Sequence, residues 1–151
     1  MKPDYIVYTD GGARGNPGPA GAGAYITDAD GRVLKEAHKA LGRQTNNYAE
    51  YQAVILAINE LKKIVPKPKR SSVEIEFRMD SELIQRQLSG KYQIKEPTLF
   101  PLFVEIWNAR VSEFPHMSFQ HVPREKNKDA DRLSNVAMDE AENKSIQRQI
   151  F

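Results

Sequence analysis

The alternation of apolar and polar positions divides the chain into strands and helices before any motif is considered. Tyr5–Asp10 carries Tyr5, Val7 and Thr9 on one face and Ile6, Tyr8 and Asp10 on the other, the pattern of a strand covered on both sides. Gly21–Asp28 and Arg32–Leu41 read as two further strands, and Asp30-Gly31 between them is a hairpin signal. These three strands are expected to form an antiparallel meander. Thr45–Lys63 predicts a helix. Its apolar stripe is Tyr51, Val54, Ile55, Ile58 and Leu61, Thr45 or Asn46 offers an N-cap oxygen, and Pro66 and Pro68 end it. Ser72–Asp80 alternates as a strand, with Val73, Ile75, Phe77 and Met79 opposite Glu74, Glu76, Arg78 and Asp80. A short helix follows over Ser81–Leu88 and stops at Gly90. Pro97–Phe114 contains another, with Leu99, Leu102, Phe103, Ile106 and Trp107 as its apolar side. Met117–Val122 predicts a last strand, Asn127–Asn143 a last helix, and Ser145–Phe151 a tail.

The order β-β-β-α-β-α-α-β-α implies an α/β fold: a mixed five-stranded sheet, a three-strand meander plus two parallel strands, with helices on both faces. We expect one domain over residues 1–142 and a C-terminal tail over 143–151. The first strand and the Ser72 strand are expected to be parallel neighbours, joined by a right-handed crossover through the Thr45 helix. Ligands in such sheets bind at the C-terminal ends of central strands. Asp10 and Asp80 both fall there. After Asp10 comes a stretch to Gly23 that holds six of the chain's nine glycines, read as a loop whose backbone can approach a ligand closely.

Composition narrows the function less than the pattern does. The 151 residues suffice for one core, and 40% hydrophobic with 28% charged is ordinary for a soluble domain. There is no cysteine, which excludes disulfides, thiolate metal sites and thiol nucleophiles, and fits a reducing, cytoplasmic setting. The N-terminus lacks the apolar core of a signal peptide, and the longest clean apolar run, Ala53–Ile58, is far short of a bilayer span, so no membrane partner is expected. A net charge of +2 permits a polyanionic partner without arguing for one.

The acids carry the chemistry. Two carboxylates at adjacent strand ends repel and raise each other's pKa unless a cation joins them, and hard oxygen donors suit Mg²⁺. Glu50 lies in the first turns of its helix and shares the apolar face with Val54, Ala57 and Leu61. An acid there is either a partly solvated helix-start residue or a third ligand. Asp129 and Asp131 both open the last helix, and spacing alone leaves the choice between them open.

Four segments together resemble the type 1 ribonuclease H family over nearly the whole chain: Thr9–Gly18 (TDGGARGNPG), Thr45–Glu50 (TNNYAE), Met79–Ser81 (MDS) and Asn127–Leu133 (NKDADRL). The shorter-loop members, which lack a long basic protrusion, are the nearest in pattern. The resemblance implies an RNase H-like fold and a monomer that hydrolyses the RNA strand of RNA–DNA hybrids, leaving 5′-phosphate and 3′-hydroxyl ends. It implies two Mg²⁺ ions, replaceable by Mn²⁺, held by Asp10, Glu50, Asp80 and Asp131, and it selects Asp131 over Asp129. Gly11, Gly12, Asn16, Asn46 and Asn47 match positions facing the minor groove of the hybrid, where amides read base edges and the 2′-hydroxyl. Thr45 matches a contact to a DNA-strand phosphate. Double-stranded RNA is a further possible substrate, and a non-catalytic hybrid- or dsRNA-binding module on the same fold is the alternative.

The chain departs from the family pattern at three points. A mobile histidine that assists turnover in many members has two counterparts, His121 without gaps or Arg124 in the shorter-loop alignment, and we favour Arg124. Glu82 stands where some relatives place a glutamine. The long basic protrusion is reduced to Ser89–Thr98, in which Lys91, Tyr92 and Lys95 either grip the DNA strand or form a solvated loop. Lys62–Arg70 reads as a solvated helix end, and His38 and His116 are given no role.

Overall fold

The sheet is built outward from its first strand in a computed structural model that describes residues 2–150. The elements are β1 (Tyr5–Ala13), β2 (Gly18–Asp28), β3 (Val33–Gln44), α1 (Asn46–Ile64), β4 (Ile75–Met79), α2 (Glu82–Leu88), α3 (Phe100–Ser112), β5 (Met117–His121) and α4 (Lys128–Ile150), with short 3₁₀ turns between some of them. The strand order is β3-β2-β1-β4-β5. The pairs β1–β2 and β2–β3 are antiparallel, and β1–β4 and β4–β5 are parallel. This is the expected meander with two parallel strands added.

The glycine-rich stretch is not the expected loop. Gly11 and Gly12 belong to β1, and Gly18, Gly21 and Gly23 to β2, which leaves a hairpin loop of only residues 14–17. The reason is steric. A Cβ on Gly23 would lie 2.6 Å from the Ala130 carbonyl oxygen of α4, and one on Gly21 would lie 2.6 Å from the Ala137 Cβ. The glycines therefore let α4 rest on the backbone of β2, while α1 packs on the opposite face. The core between sheet and α1 is made by Val7, Ile26, Tyr51, Val54, Leu61 and Phe77, all fully or almost fully buried. Tyr51 satisfies its polar tip by donating to Gln87 Oε1 at 2.7 Å.

Both ends of α1 are fastened. Thr45 is the N-cap, its hydroxyl accepting from the Tyr48 N–H at 3.2 Å. At the other end Arg70 donates to the Lys62 and Val65 carbonyls, at 2.7 and 3.1 Å, and pairs with Glu113 at 2.8 Å. The basic run is thus only in part a solvated helix end. Two further expectations change. The inward face of α3 is Leu102, Ile106 and Ala109, so Trp107 lies at its flank, 52% exposed and stacked on Phe103. The last helix also continues past Asn143, taking up the expected tail as far as Ile150; Phe151 lies outside the described residues. Among the described residues, no helix is long and apolar enough to cross a membrane.

Candidate active site

The parallel pairing of β1 with β4 sets Tyr8 level with Arg78, so Asp10 and Asp80 emerge together two residues further on. Glu50 reaches them from α1. That approach depends on Gly11, where a Cβ would fall 2.2 Å from the Ala49 backbone. A side chain there would push α1, and Glu50 with it, away from Asp10. Asp10, Glu50 and Asp80 each offer an oxygen within 4.8 Å of the others. They lie in an open cleft of about 540 Å³, also lined by Asp131, Arg124, Asn46 and Asn47.

The cluster is electrostatically unfavourable by itself. Burial, opposed by a hydrogen bond from Ser134 and reinforced by the charges of Asp80 and Asp131, lifts the Asp10 carboxyl from its ordinary 3.8 to about 7. Burial raises Glu50 well above its ordinary range; the charges of Asp10 and Asp80 add to this, and the Gly11 N–H and Arg124 oppose it. Converging hard oxygen donors that repel one another are the donor set of a divalent-cation site.

Other polar side chains hold the acids in place. Ser134 has one proton to give; Asp10 Oδ2 accepts it at 2.7 Å, closer than the Asp131 carbonyl at 2.9 Å. Asn127, 1% exposed, donates through Nδ2 to the Thr9 carbonyl at 2.9 Å and to Asp80 Oδ2 at 3.0 Å. It joins the ends of β1 and β4. Its Oδ1 is buried without a partner among the described residues. Asp131 lines the cleft, whereas Asp129 borders a separate hollow beside Tyr8 and Tyr25 and pairs with Arg132 at 3.5 Å. His121 ends β5 with Nε2 at 3.2 Å from the Asp80 carbonyl oxygen, while Arg124 opens into the cleft.

The substrate-side residues surround this floor. Gly12 lines the cleft. Asn16, in the hairpin loop, accepts through Oδ1 from the Asn46 N–H at 3.0 Å, and Asn46 Oδ1 accepts from the Ala13 N–H at 2.8 Å. Asn47 donates through Nδ2 to Glu96 at 2.6 Å. Because Thr45 accepts as the cap, its own O–H remains free to donate. Lys91, Tyr92 and Lys95 border a separate cleft of about 440 Å³, where Arg86 lies over the Tyr92 ring at 5.2 Å and pairs with Glu82 at 2.6 Å. His38 pairs with Glu140 at 2.8 Å.

A family model described as reverse transcriptase-like matches residues 8–137. A ribonuclease H1 isolated from compost is similar over 93% of this chain and 99% of its own, at 50% identity and a TM-score of 0.86. The chain belongs to the type 1 ribonuclease H family. The compost enzyme has also been solved in complex with an RNA/DNA hybrid, again at a TM-score of 0.86, over 91% of this chain and 98% of that one. Ribonuclease H1 of Halobacterium salinarum is 37% identical at a TM-score of 0.81, covering 90% of this chain and 98% of that one. A bifunctional protein of Mycobacterium tuberculosis is 42% identical over 137 residues, which is 90% of this chain but 36% of that protein. The chain therefore spans about a third of the length of the mycobacterial relatives it matches.

Within this ribonuclease H frame, motif reasoning left Ser134, Asn135 and Glu96 without roles, and quoted Asn127 only as part of a motif. Ser134 did carry a signal, since it follows Ala130 by four residues and precedes Ala137 by three, a hydroxyl on the buried stripe of α4. Glu96 carried none, because its partner Asn47 is 49 residues away.

Proposed function

We propose that this chain is an endoribonuclease that hydrolyses the RNA strand of RNA–DNA hybrids with Mg²⁺, or Mn²⁺ in its place, leaving 5′-phosphate and 3′-hydroxyl ends. The observation that carries this reading is the convergence of Asp10, Glu50 and Asp80 oxygens within 4.8 Å, in a cleft bordered by asparagine amides. Asp10, Glu50, Asp80 and Asp131 would hold the cations. Divalent cations bound there supply Lewis acidity toward the scissile phosphate and the attacking water. The protein's share is placement. Ser134 and Asn127 fix the rotamers of Asp10 and Asp80. Gly11, Gly12, Asn16, Asn46 and Asn47 bind the minor groove, where the 2′-hydroxyl distinguishes RNA from DNA. Thr45 donates to a DNA-strand phosphate. Arg124 offers a guanidinium to the cleaved phosphate and so aids product release. A silent binding module would be expected to lack one of the four acids, and all four are present.

The test is cleavage of matched hybrid, double-stranded RNA and double-stranded DNA with Mg²⁺, Mn²⁺ or EDTA. Hybrid should be cut with either metal, and EDTA should stop it. Asp80→Asn should abolish cleavage while hybrid binding survives. Full activity of that variant, or equal cutting of double-stranded DNA, would refute the reading.

A further inference from the structure

Arg14 lies in the β1–β2 hairpin loop, two residues before Asn16, and its guanidinium reaches across to α4. Nη1 donates to Asp139 Oδ1 at 2.5 Å and to Glu142 Oε2 at 2.9 Å. Nη2 donates to Asn135 Oδ1 at 3.2 Å. Asn135 in turn donates through Nδ2 to the Asp131 carbonyl at 2.9 Å and to the Asp131 carboxylate at 3.4 Å. A guanidinium only donates. It therefore takes the oxygen end of the Asn135 amide and leaves the N–H₂ end facing Asp131. Without Arg14 only the bonds to Asp131 itself hold the amide, and its oxygen end is no longer anchored.

The same loop is tied on its other side through Asn16 and Asn46 to the start of α1. It therefore spans the gap between the two helices that supply Glu50 and Asp131. Asp131 is exposed, and it lies outside the tight group formed by Asp10, Glu50 and Asp80. Of the four acids it has the most freedom for a neighbour to restrain.

We propose that Arg14 is a positioning residue: through Asn135 it orients the Asp131 carboxylate toward the divalent-cation site and couples that orientation to the placement of the Asn16 loop. This role depends on the metal-dependent, hybrid-cleaving site proposed above. Arg14 itself touches none of the clustered acids.

The experiment compares wild type with Arg14→Lys, Arg14→Met, Asn135→Ala and the Arg14→Lys/Asn135→Ala double variant. Lysine keeps a cation for Asp139 and Glu142 but lacks the planar fork that also reaches Asn135. The readouts are Mn²⁺ affinity by titration without nucleic acid, melting temperature, and kcat and KM on a hybrid. Loss of an outer partner of a metal ligand typically weakens binding about 10–100-fold, and for an exposed ligand we expect the lower part of that range or less, about 3–10-fold. Arg14→Lys should show that loss with melting temperature and KM near wild type. Asn135→Ala should show a similar loss, and the double variant should be no worse than either. Arg14→Met should raise KM as well, because the Asn16 loop is released. A purely structural latch predicts the reverse, with lysine restoring every readout. Unchanged Mn²⁺ affinity in Arg14→Lys or in Asn135→Ala, or losses that add in the double variant, overturns the assignment. A wild type that binds Mn²⁺ but cuts no hybrid defeats the proposed function, while the titration still decides the role of Arg14. A wild type that binds no Mn²⁺ overturns both.

Discussion

Replacing Asp10 with asparagine should stabilise the metal-free protein, and the gain should grow with pH. The carboxyl is 8% exposed, and burial is the main reason that it titrates at about 7 instead of the ordinary 3.8. Between those two values the folded state keeps a proton that the unfolded state has already released. Stability therefore falls as pH rises through that window. Below it both states are protonated and the charge costs nothing. Above it both are ionised, and the folded chain carries the whole penalty. One pKa unit corresponds to about 1.4 kcal/mol, so a shift of about 3 units amounts to about 4 kcal/mol. Asparagine keeps an oxygen for the Ser134 hydroxyl and cannot ionise. Its N–H₂ group brings two donors where the protonated carboxyl has one, and leaving one of them buried without a partner costs about 1–2 kcal/mol.

The net gain for Asp10→Asn is then about 2–3 kcal/mol near pH 8, vanishing near pH 5 and reversing below. For a chain of this length that corresponds to a rise of about 4–12 °C in melting temperature. Glu50 moves the balance in the same direction, because the Asp10 charge raises its pKa too. The assay is urea or thermal unfolding of both proteins in EDTA from about pH 4 to 8, at fixed ionic strength. Saturating Mg²⁺ should then narrow the gap, since a ligand at about 100 times its Kd adds about 2.7 kcal/mol to the protein that binds it. A difference independent of pH, or a wild type more stable at pH 8 in EDTA, would refute the reasoning.

Three further outcomes follow from the same geometry. Asp131→Asn should lose most hybrid cleavage while Asp129→Asn keeps a near-wild-type rate, since only Asp131 lines the cleft; steady-state rates with Mg²⁺ check this. Arg124→Ala should lower kcat by about tenfold, one interaction of about 1.4 kcal/mol, and His121→Ala should have less effect, because Arg124 lines the cleft whereas the His121 ring is held at the Asp80 backbone; pre-steady-state bursts would separate chemistry from release. Gly11→Ala should destabilise the fold by more than about 3 kcal/mol, the upper end of ordinary overpacking, because its Cβ would fall 2.2 Å from the Ala49 backbone; urea unfolding measures it.

The parts of this protein that obey a local period were legible in its sequence. The stripe of α1 and the alternation of β4 appear where the spacing puts them. The glycine-rich stretch was not read correctly, because local rules assign glycine to loops. In this fold glycine is required by α4 and α1 pressing on β2 and β1, a contact with residues more than 35 positions away in sequence. Trp107 failed similarly: helical spacing allows 103 and 107 or 102, 106 and 109 as the inward row, and only the position of α1 selects the second. Of the site, the acids at strand ends followed from topology. Asn127, Ser134 and Arg14 did not, since each acts through a partner over 110 residues away.

That long-range construction has an energetic consequence. The acids lie at positions 10, 50, 80 and 131, on elements contributed by both faces of the sheet, so their mutual repulsion exists only in the folded chain. In the unfolded ensemble they are solvated and far apart. Folding therefore builds a defect, and a cation that binds only the folded site removes it. The close packing that Gly11, Gly21 and Gly23 permit does two things at once. It draws α1 and α4 near enough to bring Glu50 and Asp131 to the strand ends, and it excludes the water that would otherwise screen Asp10 and Glu50. Metal affinity and metal-free instability thus have one origin, and a substitution that relaxes either helix should weaken cation binding even where it relieves the repulsion.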